Sequence, residues 1–581
     1  MMTKMYPDGV YDFRSLVTGG YYFVDKTLMI RDVCKAEGQV LLYTRPRRFG
    51  KSINLSMLDY FFNMKYKDKP DLFKGSKISS CKECGRHKNA YPVIRMDFSR
   101  LVPSSPLSLE DSLKEIVSRV ADSIPRESLT DASVRLLDRC SRMELSESGL
   151  NSSIADMCEV LDSTYGNRTI VLVDEYDHVF QNIASEDAYD ILIKRIRPFM
   201  EQTFKTNAHM RTGVITGIMP LMKAGMLSSF NNPKVMDVLS MEGNEHFGFT
   251  EQEVGDLLKD TGYDDPATMG EIRDWYDGYK FGSSDIYNPY SVVKYLQSRS
   301  NDENKPARSY WDGSTGGGLS SELVSRIDGV ALQELKSLYQ NPESRIRTEL
   351  ERSIAYPDLF EPDTDPKLVY SYLVMAGYLR AEPSEDGDYD IAMVNREIAM
   401  SFRSLVDKAA EREADVSIGL RAHMLTGDAK SIRDDLQFIL GGHSMDSTWK
   451  GGCESGRASD KAAHDRYKNA LCSAMRASGM KAFEEFPKGL GACDIFVPGD
   501  SKHPAIVVEI KTSWSKPPAS SAATALRQIY DKGYSSEPGD ENVVWIAIGI
   551  SGKRVAVITP RERSWADSRS ESDECQPNTR A

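Results

Sequence analysis

The stretch Val40-Leu-Leu-Tyr-Thr-Arg-Pro-Arg-Arg-Phe-Gly-Lys-Ser52 decides how the chain is read. Val40 to Thr44 is an apolar run of strand length. The basic turn Arg45-Pro46-Arg47-Arg48-Phe49-Gly50-Lys51-Ser52 follows. Then Ile53, Leu55, Met57, Leu58, Phe61 and Phe62 recur at helical spacing, which predicts a helix over 53–62. Strand, loop and helix in this order present backbone N–H groups and a helix N-terminus to an anion. The phosphate-loop pattern is Gly-x4-Gly-Lys-Ser/Thr. Gly50-Lys51-Ser52 supplies its second half, while Arg45 stands where the first Gly belongs. Gly50 lets the backbone approach phosphates, Lys51 can reach the β- and γ-phosphates, and Ser52 can ligate Mg²⁺. Arg47 and Arg48 add positive charge to the same loop.

Working outward, Pro92 to Phe98, Thr169 to Asp174 and Gly213 to Ile218 read as further strands, with a helix over 191–204. The run Ile170-Val-Leu-Val-Asp174-Glu175 is apolar until its end, as in a parallel sheet, and closes on two carboxylates. Asp174 would hold Mg²⁺, and Glu175 would orient and deprotonate an attacking water. Thr216, on the next strand, is placed to sense a γ-phosphate. Strands alternating with helices predict a wound parallel α/β sheet.

From about Phe249 to Leu440 the pattern is mainly helical, and Thr250-Glu-Gln-Glu253 has the form of a capping box. A helical lid or a winged-helix-like region fits it. Ser314-Thr-Gly-Gly-Gly318 reads as a glycine-rich loop, and 442–458 as a linker. The last region runs helix (460–478), strands (481–486, 493–497, 505–511), helix (522–532), strand (542–550), followed by a polar tail expected to be disordered.

Tyr22-Phe-Val-Asp-Lys-Thr27, Arg45-Pro-Arg-Arg-Phe-Gly-Lys-Ser52, Val173-Asp-Glu-Tyr-Asp177 and Thr216-Gly-Ile218 resemble the prokaryotic AAA-ATPase-like family whose members carry a C-terminal PD-(D/E)XK nuclease domain. Phe247-Gly-Phe-Thr250, Trp275-Tyr-Asp-Gly-Tyr279, Tyr287-Asn-Pro-Tyr290 and Gly377-Tyr-Leu379 extend the resemblance. In that family the Arg-Pro-Arg-Arg-Phe-Gly-Lys-Ser loop is the usual form. The resemblance implies an AAA-type P-loop ATPase domain over 1–248, a helical middle region over 249–441, a small restriction-endonuclease-like α/β domain over 459–563, and a tail over 564–581. It implies ATP and Mg²⁺ as cofactors, bound by Arg45 to Ser52, Asp174 and Thr216.

In the last region Asp494 opens one strand and Glu509-Ile-Lys511 ends the next. Side chains two apart share a strand face, so Glu509 and Lys511 point together. Two carboxylates on neighbouring strands can bind Mg²⁺, and Lys511 can polarise a water or steady developing phosphorane charge. Gln528 on the following helix resembles the Gln many such nucleases place near the site, and Tyr534 follows it. Asp460 and His464 resemble the family's Glu-x-x-Tyr-His, with Ala463 at the Tyr position. The family tends to show Gly-Arg-x-Asp where this chain has Gly491-Ala-Cys-Asp494.

At 581 residues the chain should hold about two to four domains. Its 40% hydrophobic and 27% charged content is that of a soluble globular protein. No run of about 18 apolar residues and no signal-peptide core occurs, so a cytoplasmic protein without membrane contact is expected. A net charge of -13 confines any nucleic-acid contact to a patch. DNA at the C-terminal domain is the expected partner. The nine cysteines are expected to be reduced. Cys81-Lys-Glu-Cys84 with His87 has half the form of a zinc site, but a polar loop is the simpler reading. AAA-type sites are often completed by an Arg from a second copy, so a homo-oligomer is a candidate assembly, with Arg195, Arg197 and Arg211 in the right region. Two function classes stand: an ATPase that controls a metal-dependent nuclease, and a nucleotide-dependent scaffold whose nuclease-fold module has lost catalysis.

Overall fold

The computed structural model describes residues 4–101, 106–180, 186–220, 233–311, 320, 323–324, 327, 329–354, 357–360, 365–441, 456–513, 516–534, 543–551 and 554–559. The expected glycine-rich loop at 314–318, most of the linker (442–455) and the tail at 564–581 lie outside these residues. The chain forms two compact units, one from Met1–Val324, Val330–Phe360 and Asp365–Val406, the other chiefly from Asp407–Ala581.

The first unit is built on five parallel strands: β1 (Val40–Thr44), β2 (Val93–Asp97), β3 (Thr169–Asp174), β4 (Met210–Gly217) and β5 (Lys234–Met236), in the order β2-β3-β4-β1-β5. All residues of β1, β3 and β4 are buried, as the apolar runs predict for strands covered on both faces. The edge strand β2 alternates between buried and half-buried instead. Strand β4 lies between β1 and β3, pairing Tyr43 with Thr216 on one side and Val173 with Ile215 on the other. The phosphate-loop strand and the acidic strand therefore flank one common neighbour.

The helix Lys51–Phe62 starts directly after Gly50, whose φ of 82° is left-handed and suits glycine. Leu55, Met57, Leu58, Phe61 and Phe62 are buried, each stabilising by about 1.5–3 kcal/mol. Its polar residues are buried too, so each needs a partner. Ser56 accepts from the Phe13 N–H (3.0 Å), Asn54 donates to the His246 carbonyl (2.8 Å), and Asp59 accepts from Asn63 (2.7 Å). The segment around Tyr22 to Thr27 is a knot of the same kind. Asp25 accepts from the N–H groups of Thr27 and Lys77, and Lys26 pairs with Glu253. Glu253 also closes the capping box with Thr250 that its spacing predicts.

Residues 249–406 are not helical alone. Among the described residues the helices Glu251–Thr261, Pro266–Tyr276, Pro289–Asn301, Gly329–Gln340, Pro366–Ala376 and the start of Arg396–Thr426 are accompanied by a hairpin of β6 (Tyr279–Phe281) and β7 (Ser284–Ile286). An antiparallel sheet β8-β10-β9 (Ile346–Thr348, Tyr389–Met393, Leu379–Pro383) completes them. This region packs on the phosphate loop itself: Phe49 meets Tyr279 and Phe281 with ring centroids 4.8 and 5.2 Å apart.

The second unit holds a five-stranded sheet in sequence order: β11 (Phe483–Lys488), β12 (Gly491–Val497), β13 (Ala505–Thr512), β14 (Val543–Ser551) and β15 (Arg554–Ile558). Only β13 and β14 are parallel, and helix Pro518–Asp531 is their crossover. Ile506, Val508 and Ile510 face a core shared with Leu420, Ile432 and Leu471. Val507 faces Ala525 and Ile529 on the opposite side. Strand β15 falls where the sequence pattern predicts no element.

Gly377 has φ 85°, and a Cβ there would sit 2.7 Å from Pro46 Cβ. Gly387 has φ 91° with open space around it. Gly377→Ala should therefore cost about 1–3 kcal/mol of stability, and Gly387→Ala nearer 1 kcal/mol. Equal denaturant midpoints for the two variants would contradict the packing of the middle region on the loop.

Candidate functional site

All strands of the first sheet point one way, so the segments leaving β1, β3 and β4 meet at one edge, where ligands of parallel sheets bind. The eight loop residues do not share one task. Arg45 is fully buried, and its guanidinium donates to the carbonyls of Thr44 (2.8 Å), Met236 (2.6 Å) and Gly243 (3.0 Å). It also lies over the rings of Phe281 and Phe247. Burial pulls its pKa down to about 10, against the pull of Asp237. Arg48 donates to the Tyr310 carbonyl (2.7 Å) and stacks on Tyr290 (4.0 Å). Pro46 and Phe49 are buried against the middle region. Of the residues expected to bind the cofactor, Arg45, Pro46, Arg48 and Phe49 thus shape the loop.

The remainder converge. Lys51 is 6% exposed, and its ammonium donates to the carbonyls of Arg45 (3.0 Å) and Pro46 (2.8 Å). Burial pushes its pKa down, while Glu175, Asp177 and Asp174 pull it back up. Asp174, at the end of β3, accepts from the Thr216 hydroxyl (2.6 Å) and from Ser52. Burial raises its pKa, opposed by those two hydroxyls. Glu175 has a left-handed backbone, φ 51°, a strain that costs about 1 kcal/mol and commonly persists where function needs it. Its carboxylate lies 3.5 Å from His178 Nδ1, and His178 holds its pKa down. Arg47 adds its charge to Lys51, Glu175 and His178.

Asp177, Tyr176 and His178 escape the sequence pattern as site residues. Asp177 is 3% exposed, and its Oδ2 accepts from the N–H groups of Ile218 (2.9 Å) and Met219 (3.0 Å). Tyr176 donates its hydroxyl to the Met219 carbonyl. Together they fasten the end of β3 to the end of β4. The signal was available: an Asp two residues beyond an acidic pair, in a stretch otherwise buried. Beside Gly50, Lys51, Ser52 and Glu175 opens a cavity of about 390 Å³, with Tyr22, Phe249 and Met57 among its walls.

In the second unit Asp494 and Glu509 come together. Asp494 Oδ2 accepts from the Ile510 N–H (2.7 Å) and lies 3.3 Å from His464 Nε2. That nitrogen is also 3.1 Å from the Ile510 carbonyl. Both neighbours are acceptors, so Nε2 carries the proton, and Asp494 raises the histidine's pKa. Glu509 is 1% exposed; Oε1 accepts from Lys511 (2.8 Å), and Oε2 has no partner of good geometry among the described residues. Burial, then Asp494, raises its pKa from 4.5 to about 7. Gln528 donates to the Tyr534 hydroxyl (3.4 Å), which donates to the Ala492 carbonyl (2.7 Å). Gln528 thus engages Tyr534, which is fixed in turn to the backbone of β12. Lys468, which the sequence pattern does not single out, is buried one turn after His464 and pairs with Glu485 and Asp465.

Among the described residues no group of three or more His, Cys, Asp or Glu side chains is arranged to hold a metal ion. The two carboxylates of the second unit suit Mg²⁺, which usually takes one or two carboxylates and completes its shell with water and phosphate oxygens. Ser52 and Asp174 suit it in the same way. At the Cys-x-x-Cys loop both ring nitrogens of His87 are engaged, by Tyr91 (2.6 Å) and Arg86 (3.1 Å). Cys84 meets the thiols of both Cys81 and Cys34. Arg195 pairs with Glu147 (3.0 Å), and Arg197 lies 3.9 Å from Glu201. Arg211 pairs with Glu37 (3.2 Å) and lies over the Tyr91 ring.

Residues 7–227 match the model of a family described as Predicted AAA-ATPase. The chain is 26% identical over 319 residues to the "Uncharacterized protein in vnfD 5'region" of Azotobacter chroococcum mcd 1, covering 54% of each. It thus spans about half the length of the curated relative it matches. It is also similar to a chain of the "Structure of Drosophila ORC bound to AT-rich DNA and Cdc6", at 12% identity, 69% coverage of this chain, 91% of that one, and a TM-score of 0.16. At that score the likeness carries no argument. No helix among the described residues is long and apolar enough to cross a membrane.

Two outcomes are expected from this geometry. Arg45→Ala should cost about 2–5 kcal/mol, because it leaves three carbonyls without this donor and opens a cavity between Phe247 and Phe281. A change below about 1 kcal/mol in urea unfolding would show that the guanidinium does not hold the loop. Glu509 keeps its proton in the folded state up to about pH 7. Without metal, its contribution to stability is present below its ordinary pKa and fades as pH rises through about 7. Divalent metal needs the carboxylate, so the rise in melting temperature caused by Mn²⁺ should grow from pH 6 to pH 8 and be absent in Glu509→Gln.

Proposed function

We propose that the chain binds and hydrolyses ATP at the β1–β3–β4 edge, and that its nucleotide state controls a Mg²⁺-dependent, PD-(D/E)XK nuclease-like domain acting on nucleic acid. The observation that carries the first half is the convergence of Lys51, Ser52, Asp174, Glu175 and Thr216 on one sheet edge. The match of residues 7–227 to an AAA-ATPase family supports it.

In this reading Gly50 and the following N–H groups cradle the phosphates, and Lys51 turns from the carbonyls of Arg45 and Pro46 to the β- and γ-phosphates. The adjoining cavity takes the base and ribose. Glu175 accepts a proton from the attacking water, and Thr216 contacts the γ-phosphate. Ser52 and Asp174 would hold Mg²⁺, which neutralises charge on the phosphate oxygens. Charge balance favours a nucleotide accompanied by a cation. Asp174, Glu175 and Asp177 outnumber Lys51 and Arg47 there, so an anion alone would meet repulsion.

In the second unit Asp494 and Glu509 would hold a divalent metal, which activates water as a Lewis acid. His464 fixes Asp494, and Lys511 faces the developing phosphate charge. A second reading, a regulatory scaffold, rests on Ala492, where the nucleases it resembles tend to carry Arg. Its carbonyl is engaged by Tyr534.

Lys51→Ala should abolish Mg²⁺-dependent ATP hydrolysis, and phosphate release equal to wild type would remove the first half. Glu509→Ala or Lys511→Ala should abolish Mn²⁺-dependent nicking of DNA while ATPase persists. Normal ATPase with no cleavage above the variants, for any metal or DNA form, would establish the scaffold.

A further inference from the structure

Between the phosphate-loop helix and β2 the charge of the chain reverses. Residues 65–89 carry eight lysines and arginines against three acidic residues, on a chain of net charge -13. Three of the lysines, Lys65, Lys67 and Lys69, alternate around Tyr66. This segment walls a cavity of about 360 Å³ distinct from the one beside Lys51. Arg14, Lys67, Lys69 and Lys88 line it, together with Tyr60, Tyr66 and Phe73. Lys67 and Lys69 are exposed and make no ion pair among the described residues. Of the acids nearby, Asp68 stands exposed between Lys67 and Lys69, while two others are engaged. Asp71 pairs with Lys88 (2.6 Å), and buried Asp59 accepts from Asn63 and Tyr66.

The aromatic rings are organised. Tyr60 and Tyr66 lie 4.5 Å apart between centroids, and Phe73 is buried at the cavity floor against Phe13 and Phe61. Lys65 lies over the Tyr66 ring (4.8 Å). Cations that track a phosphate backbone beside rings on which bases stack are the chemistry of single-strand recognition. A duplex would offer its phosphates but no base for a cavity of this size.

We infer that the Arg14, Lys67, Lys69 and Lys88 cavity, with Tyr60 and Tyr66, binds single-stranded nucleic acid, one base entering against the rings and flanking phosphates lying on the lysines. The surface belongs to the first unit and the carboxylate pair to the second, and the inference stands whether or not either proposed reaction occurs.

The test is fluorescence polarisation of a labelled 20-nucleotide oligo-dT with the full chain carrying Glu509→Gln, in EDTA and without nucleotide, from 50 to 200 mM salt. The double variant Lys67→Glu/Lys69→Glu should bind at least tenfold more weakly at 50 mM. It should flatten the log–log salt slope by about 1.4, since each phosphate contact on a single strand contributes about 0.7. An abasic oligomer should bind the unaltered surface several-fold more weakly than oligo-dT, while a duplex of equal length should compete poorly. Unchanged affinity in the double variant, with its melting temperature preserved, would overturn the inference and assign binding to another surface. Equal affinity for abasic and oligo-dT strands, or for duplex, would overturn the base-binding role of the cavity.

Discussion

A lysine ammonium buried at the edge of a parallel sheet is the constraint around which the first unit is arranged. Removing such a charge from water costs several kcal/mol unless neighbours restore the lost solvation. Here two loop carbonyls accept from Lys51, and three carboxylates from the end of β3 and the turn after it supply opposite charge. The carboxylates can serve only because β4 holds both β1 and β3 at its sides, and because Asp177 ties the β3 turn to the N–H groups after β4. Sheet order, turn and loop thus depend on one another. In the proposed nucleotide-bound state a phosphate oxygen would replace a carbonyl without leaving the ammonium unpaired.

The same accounting explains why the loop tolerates Arg where a phosphate loop usually starts with Gly. A first glycine permits a tight turn by having no side chain. Arg45 reaches the same end by filling the space with a side chain that satisfies backbone carbonyls at the ends of β1 and β5 and in the following turn. Phe247 and Phe281 enclose its plane. The consequence is dependence on the middle region, since Phe281 belongs to β6 and Arg48 reaches the Tyr310 carbonyl. The loop is therefore shaped by residues on both sides of position 248.

This dependence marks how far the sequence could be read. Strands β1 and β3 announce themselves, because a short apolar run between polar turns is too brief for a helix and too apolar for a solvated loop. Lys51, Asp174, Glu175, Asp494 and Glu509 are singled out in the sequence by their neighbours: Lys51 opens a helix after the basic loop, Asp174 and Glu175 close an apolar run, and Asp494 and Glu509 lie within neighbouring strands. Arg45 misleads, since a missing glycine looks like loss and its partners come from residues 236, 243, 247 and 281. The short strands β6, β7 and β8 have three residues each, too few for alternation to show. His178 and Lys468 gain meaning only from what folding brings beside them, Glu175 in one case and Glu485 in the other.

Net charge is the coarsest of these signals. An average of -13 is compatible with a segment in which cations outnumber acids by more than two to one, because screening confines each charge's influence to about 10 Å in ordinary salt. What a nucleic-acid strand meets is the local field. Around Tyr66, Lys65, Lys67 and Lys69 stand beside Asp59, which accepts from its hydroxyl, while around Asp174 three carboxylates outnumber two cations. On the readings proposed above, the two surfaces would select opposite companions for a phosphate: lysines directly at one, an accompanying metal ion at the other. On those readings one unit would distinguish a strand from a triphosphate although their phosphates are chemically alike.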